Sequence, residues 1–508
     1  MTSASTIKNS DFQANSEYSF LSNLKVVNHF SNLGEHFYSN VKPVPLANPK
    51  LVDISPSAAQ LIGVNSDDEN DSLLSLLNGE NLPESFDPIS MLYAGHQFGS
   101  WVPQLGDGRA MLLAQVETES GNLWELQLKG SGPTPYSRHA DGRAVLRSTI
   151  REYLCSEAMQ TLGIPTTRAL GLIDSDTAVY REEIETGAML MRMAHNHIRF
   201  GSFEVFASRN QTEQVQILAD HLLEYYRPEL KEQASPYLAL YKDIIQRTAE
   251  LIADWQSVGF CHGVMNTDNM SVLGLTIDYG PFGFIESYDP NYICNHSDSS
   301  GRYAYNKQPD IAWWNLAALG NGMLPVLELE EAKEAIESYK QIYQAAFHKR
   351  FCKKLGLSIR NSGAEYQEDA QLIQDWLNLL AQQNIDFTSA FRFLCSFSKD
   401  AEAPANLQIL FANSADFNEW LTRYSERLNK ESIADSKRQK QMLQTNPKYI
   451  LRNYLAEIAI AKAKQGDYSE VVKLRQILSK PFDEQPEHNS YANPAPASAA
   501  NIQISCSS

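Results

Sequence analysis

The spacing of hydrophobic residues changes along the chain, from short runs of strand length to a helical repeat. Residues 111–118 (MLLAQVET) and 123–130 (LWELQLKG) are strand-like, and the Glu-Ser-Gly-Asn turn between them predicts a β-hairpin. Further strand-like runs follow at 166–173, 177–184 and 187–193, the last two divided at Thr186-Gly187. This part of the chain is therefore expected to form a sheet of hairpins.

Helical spacing occurs before and within this region, and it dominates the rest of the chain. Ala144 to Leu162 has apolar residues at helical intervals, and Gly163-Ile164-Pro165 would end that helix. Other predicted helices cover 55–62, 71–77, 212–226, 237–259, a segment starting at Pro309, 328–355, 367–384, 386–398, 415–429 and 447–464. Strands with one helix, followed by many helices, predict an α+β fold with a small mixed lobe and a larger helical one.

Composition limits the function classes. A net charge of -18 and a pI near 5.1 argue against a general nucleic-acid binder, which needs a basic surface. The sequence contains no run of membrane-spanning length, and its first twenty residues resemble no secretory signal or transit peptide. Six cysteines in 508 residues form no disulfide framework. We expect a cytoplasmic protein with no membrane partner.

The chemically richest stretch runs from His262 to Gly280 and reads HGVMNTDNMSVLGLTIDYG. Kinase-like phosphotransferases combine a loop carboxylate and a metal-binding Asn with a later Asp-x-Gly triplet that holds a metal on nucleotide phosphates. Asp268, Asn269 and Asp278 match this layout, and their oxygens suit Mg²⁺ or Mn²⁺. The alternative is an Asn/Asp-rich turn between a helix and a hairpin.

The same stretch departs from the kinase pattern at one position. The kinase base lies five residues before the metal-binding Asn, and that position is Val264 here. Because a valine cannot accept a proton, ordinary kinase chemistry is in doubt.

Other candidate residues lie around the predicted hairpin and helix. Lys129, at the end of the second strand, has the position of a phosphate-binding strand lysine, and Glu152 in the helix could pair with it. The alternatives are a surface lysine and a glutamate paired with Arg147 or Arg151.

Glycines and arginines complete the candidate anion site. The turn Gly106-Asp107-Gly108-Arg109 would let backbone amides approach a phosphate. Asp141-Gly142 could bring a carboxylate near a nucleotide or merely cap the helix. Arg192 and Arg199 suit a polyphosphate, although isolated arginines more often form surface ion pairs.

Long blocks of the sequence strongly resemble the selenoprotein O family. They are YAGHQFGSWVPQLGDGRA, LQLKGSGPTPYSRHADGRAVLRSTIREYL, MRMAHNHIRFGSFE, HGVMNTDNMSVLGLTIDYGPFGF, YICNHSDSSGRY and the terminal Cys-Ser-Ser. The resemblance implies a kinase-like fold without the usual catalytic Asp. It also implies protein adenylylation, in which AMP from ATP is transferred to Ser, Thr or Tyr hydroxyls and pyrophosphate leaves. The nucleotide would be flipped relative to kinases, and UTP could also be used.

The resemblance assigns roles to residues of this chain. Asp268 would be the general base, Asn269 and Asp278 the Mg²⁺ (or Mn²⁺) ligands, and Glu152 the partner of Lys129. The residues implied to contact ATP are Gly106, Gly108, Arg109, Lys129, Asp141, Gly142, Arg192, Arg199 and Asp278. A disulfide between Cys294 and Cys506 is implied as redox control. The rival functions are an atypical kinase that transfers the γ-phosphate and an inactive nucleotide-binding scaffold.

On this basis we expect a kinase-like two-lobed chain with extensions at both ends. The expected divisions are an accessory region 1–90, an N-lobe 91–205, a C-lobe 206–400, a helical extension 401–480 and a flexible tail 481–508. The tail is rich in Pro, Ala and Ser, a composition typical of unpacked segments.

Overall fold

A ten-stranded antiparallel sheet organises the first part of the structure. The computed structural model describes residues 25–64, 70–399, 401–502 and 504. The strands in these residues are β1 (Lys25–Val26), β2 (Tyr38–Asn40), β3 (Lys50–Ile54), β4 (Ile89–Met91), β5 (Gly95–Gln97), β6 (Ser100–Val102), β7 (Ala110–Glu117), β8 (Leu123–Lys129), β9 (Ala144–Val145), β10 (Arg168–Asp174), β11 (Ala178–Tyr180), β12 (Ile184–Ala194), β13 (Phe260–Cys261) and β14 (Gly283–Phe284).

The main path through the sheet is β2-β4-β7-β8-β12-β10-β3, with β1 added to β7 and both β9 and β11 added to β12. The predicted hairpin is confirmed as β7 and β8, with Ala110 opposite Lys129. The predicted break at Thr186-Gly187 is wrong. Strand β12 runs through those residues, and the turn lies earlier, between Tyr180 and Ile184.

Helices make up most of the remaining structure. They are α1 (Pro56–Leu61), α2 (Asn70–Leu77), α3 (Leu146–Thr161), α4 (Phe200–Ser208), α5 (Thr212–Tyr225), α6 (Pro236–Val258), α7 (Gln308–Met323), α8 (Leu329–Lys354), α9 (Ala364–Gln382), α10 (Phe387–Leu394), α11 (Ala405–Leu410), α12 (Ala415–Leu428), α13 (Asp435–Leu443), α14 (Asn453–Ala463) and α15 (Ser469–Leu478). The molecule is therefore a mixed α+β structure, as the sequence predicts.

The helix ends follow local chemistry. Helix α6 begins at Pro236, whose missing N–H is not needed in a first turn. It ends at Val258 and is followed by Gly259, which has a left-handed φ of 73°. This ending places the chain directly into β13 and the 262–280 loop. Four helices, α4, α11, α13 and α15, were not predicted from the sequence.

Two layers of apolar side chains enclose the sheet. Helices α1 and α2 pack on one face, and α3 packs on the other against β10 and β12. Helices α14 and α15 cover α3 in turn, so nearly every residue of α3 is buried. Glu152 is one of these buried residues, and it bonds to Lys129 on β8 and Arg192 on β12.

Both ends of the described chain contact its centre. Strand β3 pairs with β10 at one edge of the sheet, and β2 and β4 continue the other edge beyond β7. After Lys480, the Tyr491 hydroxyl donates to Glu470 at 2.5 Å, and the Ile504 carbonyl accepts from His296 N at 2.8 Å. Among the described residues, no helix has the length and apolar character needed to cross a membrane.

Candidate active site

A cleft of about 530 Å³ lies where the sheet meets the 262–280 loop. Its walls come from the Gly106 turn, the end of β8, residues 136–143, β12 and residues 264–281. The predicted site residues that line it are Gly106, Gly108, Arg109, Lys129, Asp141, Gly142, Arg192, Arg199, Asp268, Asn269 and Asp278. Residues separated by more than 170 positions in sequence thus share one cavity.

Close backbone approach explains two of the glycines. At Gly106 the φ angle is +139°, and a Cβ atom would lie 2.4 Å from the ring of Tyr136. At Gly142 the φ angle is +67°, and a Cβ atom would lie 2.1 Å from the backbone of Gly132. Both positions therefore exclude side chains, because a Cβ atom would collide with neighbouring protein atoms.

Lys129, Glu152 and Arg192 form a buried charge cluster beneath the cleft. Glu152 reaches from α3 and accepts from Lys129 Nζ through one oxygen and from Arg192 Nε, at 2.5 Å, through the other. Burial lowers the pKa of Lys129 to about 8, against the opposing effect of Glu152. Burial also opposes ionisation of Glu152, but Arg192 and Lys129 together lower its pKa below the usual range. The alternative partners of Glu152 are engaged elsewhere: Arg147 pairs with Glu185, and Arg151 donates to the Phe282 carbonyl.

Asp278 lies between two arginines. Its Oδ1 is 2.8 Å from Arg192 Nη2, and its Oδ2 accepts from Arg199 Nη1. Although burial disfavours its charge, Arg199 and Arg192 hold the pKa of Asp278 far below its usual value. Its φ of 56° lies in the left-handed region, which Asp tolerates better than most residues.

Asp268 has one bonded and one unbonded carboxylate oxygen. Gln97 Nε2 on β5 donates to Oδ2 at 3.1 Å, whereas the buried Oδ1 has no hydrogen-bond partner. Burial raises the pKa of Asp268 to about 6, so the carboxylate is ionised at neutral pH. An ionised, half-bonded carboxylate facing a cleft can accept a proton or a hydrogen bond from a ligand.

Val264 and Asn269 show how the loop is fixed. Asn269 Nδ2 donates to the Val264 carbonyl at 2.9 Å, which leaves the amide oxygen as the free acceptor of that side chain. Val264, whose sequence position is that of the kinase base, lines the cleft.

The oxygen atoms in this part of the cleft fit a hard divalent cation. Asn269 offers an amide oxygen, and Asp278 offers a carboxylate whose pKa is held far below its usual value. Such oxygens are the ligands that Mg²⁺ and Mn²⁺ prefer. In the present structure Arg192 and Arg199 provide the positive charge beside Asp278.

Sequence reasoning missed several residues that support this site. Asp107 is buried next to Arg199, at 3.8 Å, and accepts from the Tyr93 hydroxyl at 3.2 Å. The Tyr93 ring lies under the Arg199 guanidinium at 4.8 Å. Asp107 belongs to the Gly-Asp-Gly-Arg turn, so its sequence position was the available signal. The sequence contained no signal for Gln97, because its partner Asp268 lies 171 positions away.

The outer part of the cleft is exposed. Arg181, also missed, donates to both oxygens of Asp141 at 2.7 and 2.9 Å. Arg109 is exposed and lines the cleft. A ligand entering here would meet cationic side chains before reaching Lys129.

Of the two predicted redox residues, Cys294 is described by the structure and does not line the cleft. Cys294 is buried, its thiol donates to the Cys261 carbonyl at 3.4 Å, and burial raises its pKa well above the usual range. Cys506 lies outside the described residues. The nearest described part of the tail, Ile504, contacts His296, two residues beyond Cys294.

Comparison with known proteins provides independent information. Residues 20–479 match the family model described as protein adenylyltransferase SelO. The chain is 50% identical over 495 residues to the protein nucleotidyltransferase YdiU of Thioalkalivibrio sulfidiphilus, covering 96% of this chain and 99% of that protein. It is 50% identical over 491 residues to the protein of the same name from Thiobacillus denitrificans, with coverage of 96% and 99%. For Vibrio parahaemolyticus YdiU the identity is 48% over 486 residues, with coverage of 94% and 98%.

Proposed function

The chain belongs to the SelO family of protein adenylyltransferases, and we propose that it transfers AMP from ATP to Ser, Thr or Tyr hydroxyls of other proteins. Family membership makes it a protein nucleotidyltransferase. The choice of ATP, of the acceptor hydroxyls and of the residues below is the proposal.

The observation that carries the proposal is the pairing of cations and carboxylates within one cleft. Arg109, Lys129, Arg192 and Arg199 can neutralise a triphosphate, and the carboxylate residue Asp268 lines the same cleft. Valine replaces the kinase base at position 264. A cleft with phosphate-binding cations but a displaced base favours a transfer reaction other than ordinary phosphorylation.

In the proposed reaction, Asp268 accepts the proton of the acceptor hydroxyl. The hydroxyl oxygen forms a bond to the α-phosphorus of ATP, and the bond from that phosphorus to the bridging oxygen of the β-phosphate breaks. Pyrophosphate leaves with the bond's electron pair, and arginines beside it stabilise its charge. Lys129 binds phosphate, and Glu152 fixes the lysine in place.

A divalent ion, Mg²⁺ or Mn²⁺, would be held by Asn269 and Asp278. When bound, it would neutralise phosphate charge. Arg192 and Arg199, which now pair with Asp278, would then be free to contact the triphosphate. Gly106, Gly108 and Gly142 would leave room for the nucleotide, and Asp141 would contact it at the outer end of the cleft.

We also propose that the molecule is kinase-like, with lobes near 91–205 and 206–400, an accessory region before them, and a helical extension and tail after them. The abundance of strands before residue 194 and of helices after residue 200 supports this division. The nucleotide would lie flipped relative to kinases, so that the α-phosphate faces the acceptor.

Redox control through a Cys294–Cys506 disulfide remains a proposal. The contact between His296 and Ile504 supports it, because it brings the described end of the tail close to Cys294. Mass spectrometry of oxidised protein should find both cysteines in one linked peptide; two free thiols under oxidant would contradict the idea.

ATP labelled at the α- or the γ-phosphate separates the candidate functions. We expect label in protein from α-labelled ATP only, with release of pyrophosphate. Label from the γ-position would instead support a kinase that uses Asp268 in place of the missing base. ATP binding without any transfer would support a scaffold. Running UTP in parallel, with Mg²⁺ and then Mn²⁺, would identify the preferred nucleotide and ion.

A further inference from the structure

A second group of potential metal ligands lies far along the chain from the cleft residues. His348 and Cys352 are on α8, and Asp369 is on α9. The spacing of four residues puts the histidine and cysteine on the same face of α8. All three side chains are at most 4% exposed, and their ligand atoms lie within 4.8 Å of one another.

The hydrogen-bonding atoms of this group are only partly paired. His348 Nε2 is 3.3 Å from Cys352 Sγ, a separation close to that of two ligands on one tetrahedral zinc ion. His348 Nδ1 is buried and has no hydrogen-bond partner. Within the described part of the chain, the hydrogen-bond partner of the imidazole is therefore a thiol, a weak donor and acceptor.

Charge around the group favours an additional cation. Asp369 accepts from Arg427 Nε at 2.5 Å and from Nη2 at 3.2 Å, and Arg427 Nη1 also donates to Glu431 at 2.7 Å. Two carboxylates thus share one guanidinium. Arg360, whose charge also acts on Cys352, pairs with Glu365 at 3.4 Å, so the group keeps a net negative charge. Each oxygen of Asp369 retains a lone pair beyond its bond to Arg427.

We propose that His348, Cys352 and Asp369 bind one zinc-like divalent ion. On binding, Cys352 releases its thiol proton to solvent as a sulfur–metal bond forms, and the imidazole and carboxylate each donate a lone pair. The Cys352 thiolate and the carboxylates of Asp369 and Glu431 then carry three negative charges. The single charge of Arg427 and the double charge of the ion balance them. Arg427 and Glu431 would orient Asp369 from the outer side.

The protonation states fit this chemistry. Burial lowers the pKa of His348, so the ring is neutral as a ligand must be. Burial raises the pKa of Cys352 to about 12, so the metal-free cysteine is a thiol. A sulfur and a nitrogen ligand distinguish this group from the oxygen ligands of the nucleotide cleft, which favour harder ions.

The site has a path to solvent. His348 and Tyr366 border a cavity of about 900 Å³ between α6, α8 and the start of α9. The Tyr366 ring lies 4.1 Å from the imidazole. Water from this cavity would fill the fourth position of a tetrahedral ion.

Cobalt(II) provides a direct probe, because a cobalt–thiolate bond gives a charge-transfer absorption that oxygen and nitrogen ligands do not. The full chain would be titrated with Co²⁺ in excess Mg²⁺ and without nucleotide. We expect one saturable thiolate band per chain, which Zn²⁺ removes by competition. Cys352→Ser should abolish the band, and His348→Gln should weaken binding by at least roughly 100-fold.

Cys395→Ser is the matched control, because Cys395 is also buried, directly after the end of α10, but lies outside the group. This variant should keep the wild-type band and affinity. Absence of a thiolate band in the wild type, or its persistence in Cys352→Ser, would overturn the proposal. Saturation only near roughly 1 mM Co²⁺ would equally count against it, since that affinity is no better than chance surface binding. Asp278→Ala should leave the band unchanged, so failure of this site and failure of the nucleotide site are distinguishable.

Discussion

Arg199 forms an ion pair with Asp278, the residue proposed to bind the metal. Arg192 pairs with the other oxygen of the same carboxylate at 2.8 Å. Without nucleotide, the proposed phosphate ligands and the proposed metal ligand therefore neutralise one another. Binding of a metal–nucleotide complex would exchange these pairs for arginine–phosphate and aspartate–metal contacts.

Replacement of Asp278 tests this exchange. We expect Asp278→Ala to lower kcat by at least roughly 100-fold, because the metal loses a ligand. It should also lower stability by about 3 kcal/mol, because two buried arginines lose a common partner. Label transfer and thermal unfolding measure the two effects. Asp243→Ala is the control, since Asp243 also pairs with two arginines, Arg227 and Arg247, but lies outside the cleft; it should keep wild-type transfer.

The proposed base can be separated from nucleotide binding. Asp268→Asn keeps the side-chain shape and the contact with Gln97. The amide cannot take up the proton of the substrate hydroxyl. We expect the single-turnover rate to fall by roughly 10²–10⁴-fold while the Kd for ATP changes little. A rate within threefold of wild type would show that the proton goes elsewhere.

Glu152→Gln tests the cluster beneath the cleft. With the carboxylate charge removed, Lys129 and Arg192 would face each other without an anion, so the pKa of Lys129 should fall further below its present value of about 8. A larger neutral fraction of Lys129 should weaken ATP binding by roughly tenfold or more, as measured by calorimetry. Glu157→Gln, on the same helix and paired with Arg168, is the control. Equal weakening by both variants would indicate a general effect on α3.

The close packing of the Gly106 turn against Tyr136 predicts how a side chain there would affect ATP binding. Gly106→Ala adds a Cβ atom 2.4 Å from the Tyr136 ring, so the turn must move and ATP affinity should fall. Gly121→Ala, in the β7–β8 turn, also has a positive φ but has no atom within 4 Å of the new Cβ. Gly121→Ala should therefore lower stability by about 1 kcal/mol through backbone strain alone, and ATP binding should be unchanged. Similar ATP affinities for the two variants would contradict close approach at Gly106.

His221 predicts a pH dependence of stability. Burial, followed by the charge of His29, lowers the pKa of His221 to about 3, and neither ring nitrogen has a hydrogen-bond partner. The unfolded chain binds a proton below pH about 6.5, whereas the native state resists it. Stability from this group is therefore complete above pH about 6.5 and decreases as the pH falls toward 3, by roughly 2 kcal/mol at pH 5.

His221→Phe should remove this part of the acid sensitivity, because the ring remains among Phe30, Tyr225 and Tyr226 without a titrating group. Urea unfolding at pH 5 and 7.5 measures the difference. His36→Phe, at an exposed position, is the control. An unchanged difference between the two pH values in His221→Phe would refute the prediction.

The sequence predicted the elements whose pattern is local. The β7–β8 hairpin and helices α3, α5 and α6 follow from runs of apolar residues and from their turn and cap residues. Helix α4 was missed because Phe200–Ser208 is almost wholly buried, so it lacks the polar face that reveals an amphipathic helix. The break near Thr186 was misplaced because a glycine and a polar residue occur inside a long strand.

The site was predictable only as far as its residues lie in recognisable motifs. Lys129, Asp268, Asn269 and Asp278 could be named from local patterns. The contacts of Asp268 with Gln97 and of Arg199 with Asp107 depend on tertiary packing between distant segments. No spacing rule could predict that Glu152 contacts Arg192 as well as Lys129.

Strands β2, β3 and β4, all from the first 91 residues, form the outer positions of the central sheet. A shortened protein starting at residue 91 would leave the backbone amides and carbonyls of β7 and β10 unpaired along both margins. Uncovered strands of this kind recruit other chains, so such a fragment would self-associate rather than act as a smaller working enzyme. Strands β2, β3 and β4 thus protect the margins of the central sheet from pairing with other chains.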